Sequence, residues 1–219
     1  MSKEHARILL YILRRDIRLS DNPIFHFASH QANQTKSRTS PSNSDRRDYD
    51  GSLTSEHGDA PFTHLLPVYI FSANQIEVSG FLSSPSDQCP YPEARSQVAG
   101  VWRTGPHRAK FIAEGVWDLK QKLEGLGCGS GLEMRVGRVS DVVSHILDWY
   151  STDGHPDDNI AEVTGIYMTD DYGTEEKGDV GAVRKIAEQH NVDFQVWDDE
   201  KYYIDECVIP TFASPLDGL

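Results

Sequence analysis

Short apolar segments rich in β-branched and aromatic residues alternate with longer segments of helical periodicity along this chain, and this alternation limits the folds it can adopt. Five apolar segments are typical of buried strands, namely 8–13, 65–71, 133–136, 163–168 and 193–197. A helical pattern lies between each consecutive pair. Such alternation favours a parallel sheet with helices on both faces. We therefore predict an α/β fold: a Rossmann-like, open, mainly parallel five-stranded sheet with strand order 3-2-1-4-5.

The four predicted helices have recognisable starts or apolar faces. Asn22 followed by Pro23 starts the first helix, and Ser140 can cap the third. Glu175 and Glu176 favour the N-terminal dipole of the fourth helix. Glycines at 125 and 127 end the second helix. The apolar face of this helix consists of Ile112, Val116, Leu119, Leu123 and Leu126.

The domain prediction is one α/β domain over residues 1–210 followed by a short tail, 211–219. Residues 31–61 are rich in Ser, Asn, Asp and Gly and nearly free of large aliphatic residues. A segment of this composition cannot offset the entropy of ordering, so we expect a disordered insertion there. Residues 72–106 are expected to form a long irregular loop.

Composition and charge exclude several classes of protein. The chain has 21 basic and 34 acidic residues, a net charge of −13, so DNA binding by this chain alone is not expected. No apolar run approaches the length that spans a membrane, and no signal-peptide pattern is present at the N-terminus. We expect a soluble intracellular protein, with cytoplasmic, nuclear and organellar placement all open. The three cysteines are far apart, which disfavours a disulfide framework or zinc site.

Several smaller patterns have simple structural explanations. The glycines of residues 125–131 do not match GxGxxG and follow a helix, whereas the dinucleotide fingerprint follows a strand. His26 and His30 have the spacing of two metal ligands, but the glutamate of HExxH and a third ligand are missing. We interpret them as surface histidines. Trp117 and Trp149 are expected to pack in the core.

A charged turn after the first strand is the best candidate site. Arg14, Arg15 and Asp16 follow that strand, and the residues 169–172 (Thr-Asp-Asp-Tyr) follow the fourth. With order 3-2-1-4-5, both turns flank the crevice where the strand order reverses, which is where open α/β sheets bind ligands. Guanidinium groups that face carboxylates can hold a polar ring system or an anionic tail. The alternative is a structural ion-pair network.

These segments, taken in order, resemble the N-terminal α/β domain of the photolyase/cryptochrome family, and most closely its cryptochrome DASH branch. The segments that carry the resemblance are RRDIRLSDNPIF, LLPVYIF, RTGPHRAKFIAEGVWDLKQKLEGLG, MRVGRVSDVVSHIL, GIYMTDDYGTEEK and WDDEKYYIDECVIP. Together they cover nearly all of the chain except 31–61 and the tail.

The resemblance implies an antenna chromophore, 5,10-methenyltetrahydrofolate, near a domain boundary. Arg14, Arg15 and Asp16 would line its crevice, and the turn after the fourth strand would supply a carboxylate to the pterin. The matching position is Asp171, one methylene shorter than the glutamate of the family. Family members continue into a helical domain that binds FAD and receives DNA, whereas this sequence stops at TFASPLDGL. We therefore expect a truncated antenna domain without FAD and without catalysis by itself.

Two other functions stay open on the sequence. The chain could be an interaction module in which the exposed arginine turn docks a protein partner at the domain boundary. It could also be an adenine-nucleotide-binding domain of the broader Rossmann-like class, although its first turn is rich in arginine where glycine would be expected.

Overall fold

Five strands and four α-helices alternate in a computed structural model, as the sequence predicts. The structure describes residues 6–37, 62–84, 86–151, 161–171 and 173–197. The strands are β1 (Ala6–Leu13), β2 (His64–Ser72), β3 (Glu133–Gly137), β4 (Ala161–Thr169) and β5 (Asp193–Trp197). The helices are α1 (Pro23–Ser37), α2 (Pro106–Glu124), α3 (Val139–Tyr150) and α4 (Thr174–Gln189).

The sheet is parallel throughout, with strand order β3-β2-β1-β4-β5, which confirms the predicted topology. Leu10 in the central strand pairs with Leu66 of β2 on one side and Ile166 of β4 on the other. The chain runs outward from β1 to β3 and then crosses to β4. The strand order therefore reverses between β1 and β4, and the carboxyl ends of these two strands flank a crevice.

Alternating residues of β1 enter two separate cores. Leu10 and Ile12 belong to the core beneath α3 and α4, whereas Leu9 and Tyr11 belong to the core beneath α1 and α2. All four side chains are at most 2% exposed. Because both faces of a parallel sheet are covered, β1 is apolar without a polar face, which explains the continuous sequence ILLYIL.

Helix α1 begins as predicted but is longer than predicted. The Asn22 Oδ1 accepts hydrogen bonds from the backbone N–H groups of Ile24 (3.2 Å) and Phe25 (3.0 Å), which caps the helix. The helix continues to Ser37, so residues 31–37 are not part of a disordered insertion. Their sequence, QANQTKS, lacks Gly and Pro and includes good helix formers, so it can continue the helix. The rest of the expected insertion, 38–61, and the expected tail, 211–219, lie outside the described residues.

Two local predictions about helix ends are wrong. Helix α3 begins at Val139, so Ser140 lies inside the first turn, where its hydroxyl donates to the Asp141 carboxylate (3.1 Å) and does not cap the helix. Leu126 lies beyond the end of α2 and is 55% exposed. The glycine after α2 ends the helix before Leu126 can join the apolar face.

The prediction that Trp117 and Trp149 pack in the core is also wrong, because these side chains are 54% and 57% exposed. On α2, the buried positions are Val116, Leu119 and Leu123. Trp117 follows Val116 directly and therefore lies about 100° around the helix from it. On α3, smaller aliphatic residues fill the buried face, and Trp149 lies outside it.

The segment that joins β2 to α2, residues 73–105, is irregular as predicted and contains only a short 3₁₀ helix, Ser79–Phe81, among its described residues. It packs against the sheet through several residues, among them Ile76 and Phe81, the latter against Phe71 of β2. Val78 and Ala94 are buried, and the backbone N–H of Ala73 donates to the Gly137 carbonyl (3.0 Å). In the described part of the chain, no helix is long and apolar enough to cross a membrane.

Candidate functional site

Arg14 lies at the carboxyl end of β1 and reaches across to α4. Its side chain is only 10% exposed. It follows Ile12 by two residues, so the alternation along the strand directs it to the face that α4 covers. Its Nη2 donates to the Glu176 backbone carbonyl (3.2 Å) and lies 3.4 Å from the Asp179 Oδ2. Arg14 therefore fixes the start of α4 against the end of the central strand.

Arg15 forms ion pairs with two carboxylates that lie across the crevice from β1. Its Nε lies 3.0 Å from the Asp171 Oδ2, and its Nη2 lies 2.5 Å from the Glu176 Oε1. The predicted approach of Arg15 to Asp171 is thus present. The Arg15 side chain is 55% exposed, whereas the two carboxylates are nearly buried. We call Arg14, Arg15, Asp171, Glu176 and Asp179 the carboxyl-edge cluster.

Asp16 stabilises the turn after β1. Its carboxylate accepts hydrogen bonds from the Arg18 Nε (2.8 Å) and Nη2 (2.9 Å) and from the Arg18 backbone N–H (3.1 Å). The Asn22 Nδ2 lies 3.4 Å from Asp16 and donates to the Tyr11 hydroxyl at 2.8 Å. Asp16 is therefore part of a buried hydrogen-bond network that links this turn to the cap of α1.

The turn after β4 uses its two aspartates differently. The Asp170 Oδ1 accepts a hydrogen bond from the Asp171 backbone N–H (2.8 Å), which shapes the turn. The Asp170 backbone N–H donates to the Trp197 carbonyl (2.7 Å). Asp171 is then directed toward Arg15. Thr169 is buried, and Tyr172 lies outside the described residues.

Glu176 is the most strongly bound carboxylate of the cluster. Burial raises the pKa of this carboxyl, but a hydrogen bond from its own backbone N–H, the Arg15 guanidinium and the Gln75 amide outweigh that effect, so the pKa lies below its ordinary value. The Gln75 Nε2 donates to the Oε1 at 3.2 Å. Glu176 is therefore held ionised at the N-terminus of α4.

The pKa of Asp179 is shifted in the opposite direction. Burial raises the pKa of its carboxyl, the Arg14 guanidinium lowers it, and the negative charges of Glu176 and Glu175 raise it further, so the pKa lies above its ordinary value. The cluster thus holds three carboxylates near two guanidinium groups. Its excess negative charge favours a ligand that presents hydrogen-bond donors over an anionic one.

Two buried polar atoms near the cluster lack a hydrogen-bond partner in the described part of the chain, the Nη1 of Arg14 and the Oγ of Ser72. Ser72 follows Ile70 of the α3/α4 core by two residues, so both atoms belong to the same face of neighbouring strands. Buried polar groups are usually satisfied, and a ligand or an ordered water is a common partner for those that are not. These atoms add a donor and a hydroxyl to the crevice.

Other candidate positions give a weaker site. A surface cavity of about 420 Å³ lies in the β2–α2 segment, lined by Ser79, Gly80, Leu82, Ser84, Asp87 and Cys89. None of the predicted site residues lines it. The rings of His26 and His30 stack with their centroids 6.2 Å apart. Among the residues that the structure describes, no three His, Cys, Asp or Glu side chains are grouped as a metal site would require.

The sequence did not identify three members of the site, Gln75, Glu176 and Asp179. Glu176 was assigned only to the helix dipole, a role it also fulfils. The available signal was the spacing of Glu176 and Asp179, since residues three apart share a helix face. That face meets Arg14 and Arg15 only after the sheet has brought β1 beside β4.

The cluster also fills the N-terminus of α4. Gly173 precedes the first turn of this helix, and a Cβ at that position would overlap the Oε2 of Glu176. The helix N-terminus is where a Rossmann-like domain binds phosphate. Here the chain places its own carboxylate there, with Glu175 beside it, so a phosphate group would be repelled.

Comparison with known proteins gives one consistent family. The family model described as DNA photolyase matches residues 9–207. A relative from Gibberella zeae, named "Putative cryptochrome DASH", is 39% identical over 200 residues, which cover 91% of this chain and 24% of the relative. A Neurospora crassa relative, named "Putative cryptochrome DASH, mitochondrial", is 38% identical over 199 residues, or 91% of this chain and 22% of the relative. The chain thus spans about a quarter of the length of these curated relatives.

A solved structure supports the fold. The cryptochrome of Synechocystis sp. PCC6803 superposes with a TM-score of 0.54 at 18% identity, covering 90% of this chain and 28% of that one. At this identity the likeness concerns the fold alone. It agrees with the five-stranded parallel sheet described above.

Proposed function

Because this chain belongs to the DNA photolyase family, we propose that it is the antenna domain of a cryptochrome DASH-like protein, binds a folate-type chromophore at the carboxyl-edge cluster and has no catalytic activity alone. The observation that carries the proposal is the position of the cluster. It lies at the reversal of strand order, where open α/β sheets bind their ligands.

The chemistry of the cluster fits a pterin. A pterin ring presents amino and ring N–H donors beside a carbonyl acceptor. Asp171 and Glu176 would accept hydrogen bonds from the donors, and the Arg14 Nη1, which is buried without a partner in the described residues, would donate to the carbonyl. When bound, the chromophore supplies light absorption, while the protein supplies position and electrostatics.

Ligand binding would require Arg15 to move. Arg15 occupies both carboxylates, but its side chain is more than half exposed, so it can turn into solvent when donors of the ligand take its place at the two carboxylates. The shorter Asp171 does not have to reach the ligand alone, because Glu176 presents a second carboxylate bound to the same guanidinium. Asp16 would act indirectly, by holding the turn that carries Arg14 and Arg15.

The proposed absence of catalysis by residues 1–219 alone rests on the part of the family that they match. They span about a quarter of the length of the curated relatives, and the family resemblance assigns FAD to a helical domain distinct from the α/β domain. Light-driven repair depends on that cofactor. Illumination of the purified chain with damaged DNA is expected to give no repair, and repair above a dark control would contradict the proposal.

The test of chromophore binding is an absorption spectrum and a melting curve of the purified chain with and without 5,10-methenyltetrahydrofolate. We expect a shifted near-ultraviolet band and a raised melting temperature. Asp171→Asn should weaken both effects, whereas Lys110→Gln, which removes an exposed ion pair on α2, should leave them unchanged. No change in spectrum or stability of the unmodified chain would contradict the proposal.

A second candidate is an interaction module. Large apolar side chains are exposed on and before α2, including Val98 (98%), Phe111 (73%) and Trp117 (54%). Exposed large apolar side chains favour contact with another protein. A chain that stays monomeric and captures no partner, while it binds the folate, would support the antenna domain over this alternative.

The adenine-nucleotide alternative has less support, because the turn between β1 and α1, where a Rossmann-like domain binds phosphate, contains no glycine. The N-terminus of α4 holds the Glu176 carboxylate, which would repel a phosphate there. A thermal shift with ATP distinguishes an adenine-nucleotide-binding domain from an antenna domain. A nucleotide at 100 times its dissociation constant would add about 2.7 kcal/mol of stability, and we expect no such shift.

A further inference from the structure

The two ends of the β2–α2 segment bind successive glutamates of α4. Near its start, the Gln75 Nε2 donates to Glu176. Near its end, the Arg103 Nη1 donates to the Glu175 Oε1. The segment therefore runs past the crevice and is fixed on the acidic first turn of α4 at both ends. That turn is also one wall of the carboxyl-edge cluster.

Arg103 is held by a small hairpin, residues 94–103, which has its own internal support. The Arg103 backbone N–H donates to the Ala94 carbonyl (3.0 Å), and its Nε donates to the Arg95 carbonyl (3.2 Å). The Arg95 guanidinium lies 3.7 Å from the ring centroid of Trp102 and donates to the Gly100 carbonyl (3.0 Å). The 94–103 hairpin can therefore move as a unit, because these contacts lie within it.

The hairpin is attached to the rest of the fold at its base, where the Glu77 carboxylate accepts a hydrogen bond from the Ala94 backbone N–H and Arg95 pairs with Glu93. Its tip is open. At its base Ala94 is buried, whereas at its tip Val98 is 98% exposed. Gly105, two residues after the hairpin, has no atom within 4 Å of where a Cβ would lie, so the connection to α2 is uncrowded. The ion pair of Arg103 with Glu175 is itself partly exposed, at 29% and 53% of the two side chains. Ion pairs of this kind contribute little stability and open readily.

We propose that the 94–103 hairpin is a hinged cover beside the carboxyl-edge cluster and that the Arg103–Glu175 ion pair is its latch. The role in ligand entry rests on the proposed function. When the latch opens, the hairpin swings away from the first turn of α4, and the wall formed by Glu175 and Glu176 becomes accessible to a pterin-type ring. When it closes, Arg103 pairs with Glu175, whose side chain stays 53% exposed, and restricts access to that wall.

Hydrogen exchange of the ligand-free chain tests the latch. In Arg103→Gln we expect amides of 94–103 and of 173–177 to exchange about two- to fivefold faster, the size expected for loss of one exposed ion pair. Glu175→Gln, which removes the other partner of the ion pair, should speed exchange in the same two regions. Lys110→Gln, which breaks the exposed pair of Lys110 with Glu114, is the matched control and should change neither region.

Unchanged exchange in both latch variants would overturn the proposal. Faster exchange of 94–103 alone, without 173–177, would also overturn it, because the hairpin would then not cover the first turn of α4. The hydrogen exchange decides this without any chromophore.

The ligand is tested separately with 5,10-methenyltetrahydrofolate. We expect its association rate to rise in Arg103→Gln by the same factor as the exchange rate. An unchanged association rate despite faster exchange would overturn the role of the hairpin as a cover. If no variant binds the folate, the proposed function fails, while the exchange data still decide whether the latch exists.

Discussion

Arg15 and Glu176 form the ion pair that joins the central strand to α4, with the Nη2 of the arginine 2.5 Å from the Oε1 of the glutamate. The two residues are 161 positions apart in the sequence. Their contact depends on the pairing of β1 with β4, so it reports whether the crevice is assembled. Stability and site geometry are therefore coupled at this pair.

Glu176→Gln should destabilise the fold in a pH-dependent way. The pKa of Glu176 lies below its ordinary value of 4.5 in the folded state, so its ionised form stabilises the fold above the unfolded pKa, and this contribution is lost as the pH falls through the folded pKa. We expect a loss of about 1.5 to 3 kcal/mol at pH 7. Urea unfolding should show a difference from the unmodified chain at pH 7 that shrinks as the pH falls through the folded pKa, and a difference that does not change with pH would contradict the assignment.

Gly173→Ala should also disrupt the Arg15–Glu176 ion pair, because it adds a Cβ atom beside the Glu176 carboxylate. A Cβ at this position would overlap the Glu176 Oε2, so the carboxylate would have to leave Arg15 and Gln75. We expect a loss of about 1 to 3 kcal/mol by chemical denaturation. Gly178→Ala on the same helix meets no atom within 4 Å and should instead gain up to about 1 kcal/mol. Equal effects of the two substitutions would show that the carboxylate is not fixed at the N-terminus.

Asn22→Ala should remove two interactions at once, the cap of α1 and the hydrogen bond to the Tyr11 hydroxyl. We expect a loss of about 2 to 3 kcal/mol, since a cap is worth about 1 kcal/mol and a buried hydrogen bond about as much. Asn22→Ser keeps a capping oxygen but loses the amide donor, so it should lose about half as much. Thermal unfolding measures both losses, and identical losses would mean that only the amide donor matters and that the cap contributes nothing.

Gly137→Ala should be costly because two restrictions meet at the end of β3. Gly137 has φ of +147°, a region that other residues rarely adopt, and a Cβ would lie 2.8 Å from the Tyr91 hydroxyl and 3.2 Å from the Val142 Cγ2. We expect a loss of about 2 to 4 kcal/mol in urea unfolding. Gly131→Ala, which meets open space shortly before β3, is the control and should have little effect.

The sequence predicted the sheet well, for reasons that particular residues make clear. β1 is apolar after Arg7, and β4 is buried from Gly165 to its end, because both faces of the sheet are covered. The approach of Arg15 to Asp171 also follows, because the carboxyl ends of neighbouring parallel strands lie at the same edge. These predictions need only strand positions and strand order.

Other features depend on side-chain direction around a helix or a turn, which a spacing pattern fixes poorly. Asp16 follows two arginines in the sequence, yet it bonds to Arg18 because the chain turns sharply after β1. Glu176 and Asp179 join the site only because that side of α4 faces the sheet edge. Trp117 is exposed because Val116, its neighbour, already takes the buried position.

The position of β1 at the centre of the sheet has a consequence for how the protein folds. Leu10 is near the start of the chain, and its partner Ile166 follows three of the four helices. During synthesis, β2 and β3 are therefore available to one side of β1 before β4 has been made. Until then, the edge of β1 that pairs with β4 is open. Pairings between such distant residues slow folding and leave an open strand edge for association with other chains. We therefore expect the slowest folding step to be the docking of β4, and nascent chains that end before β4 to be prone to aggregation.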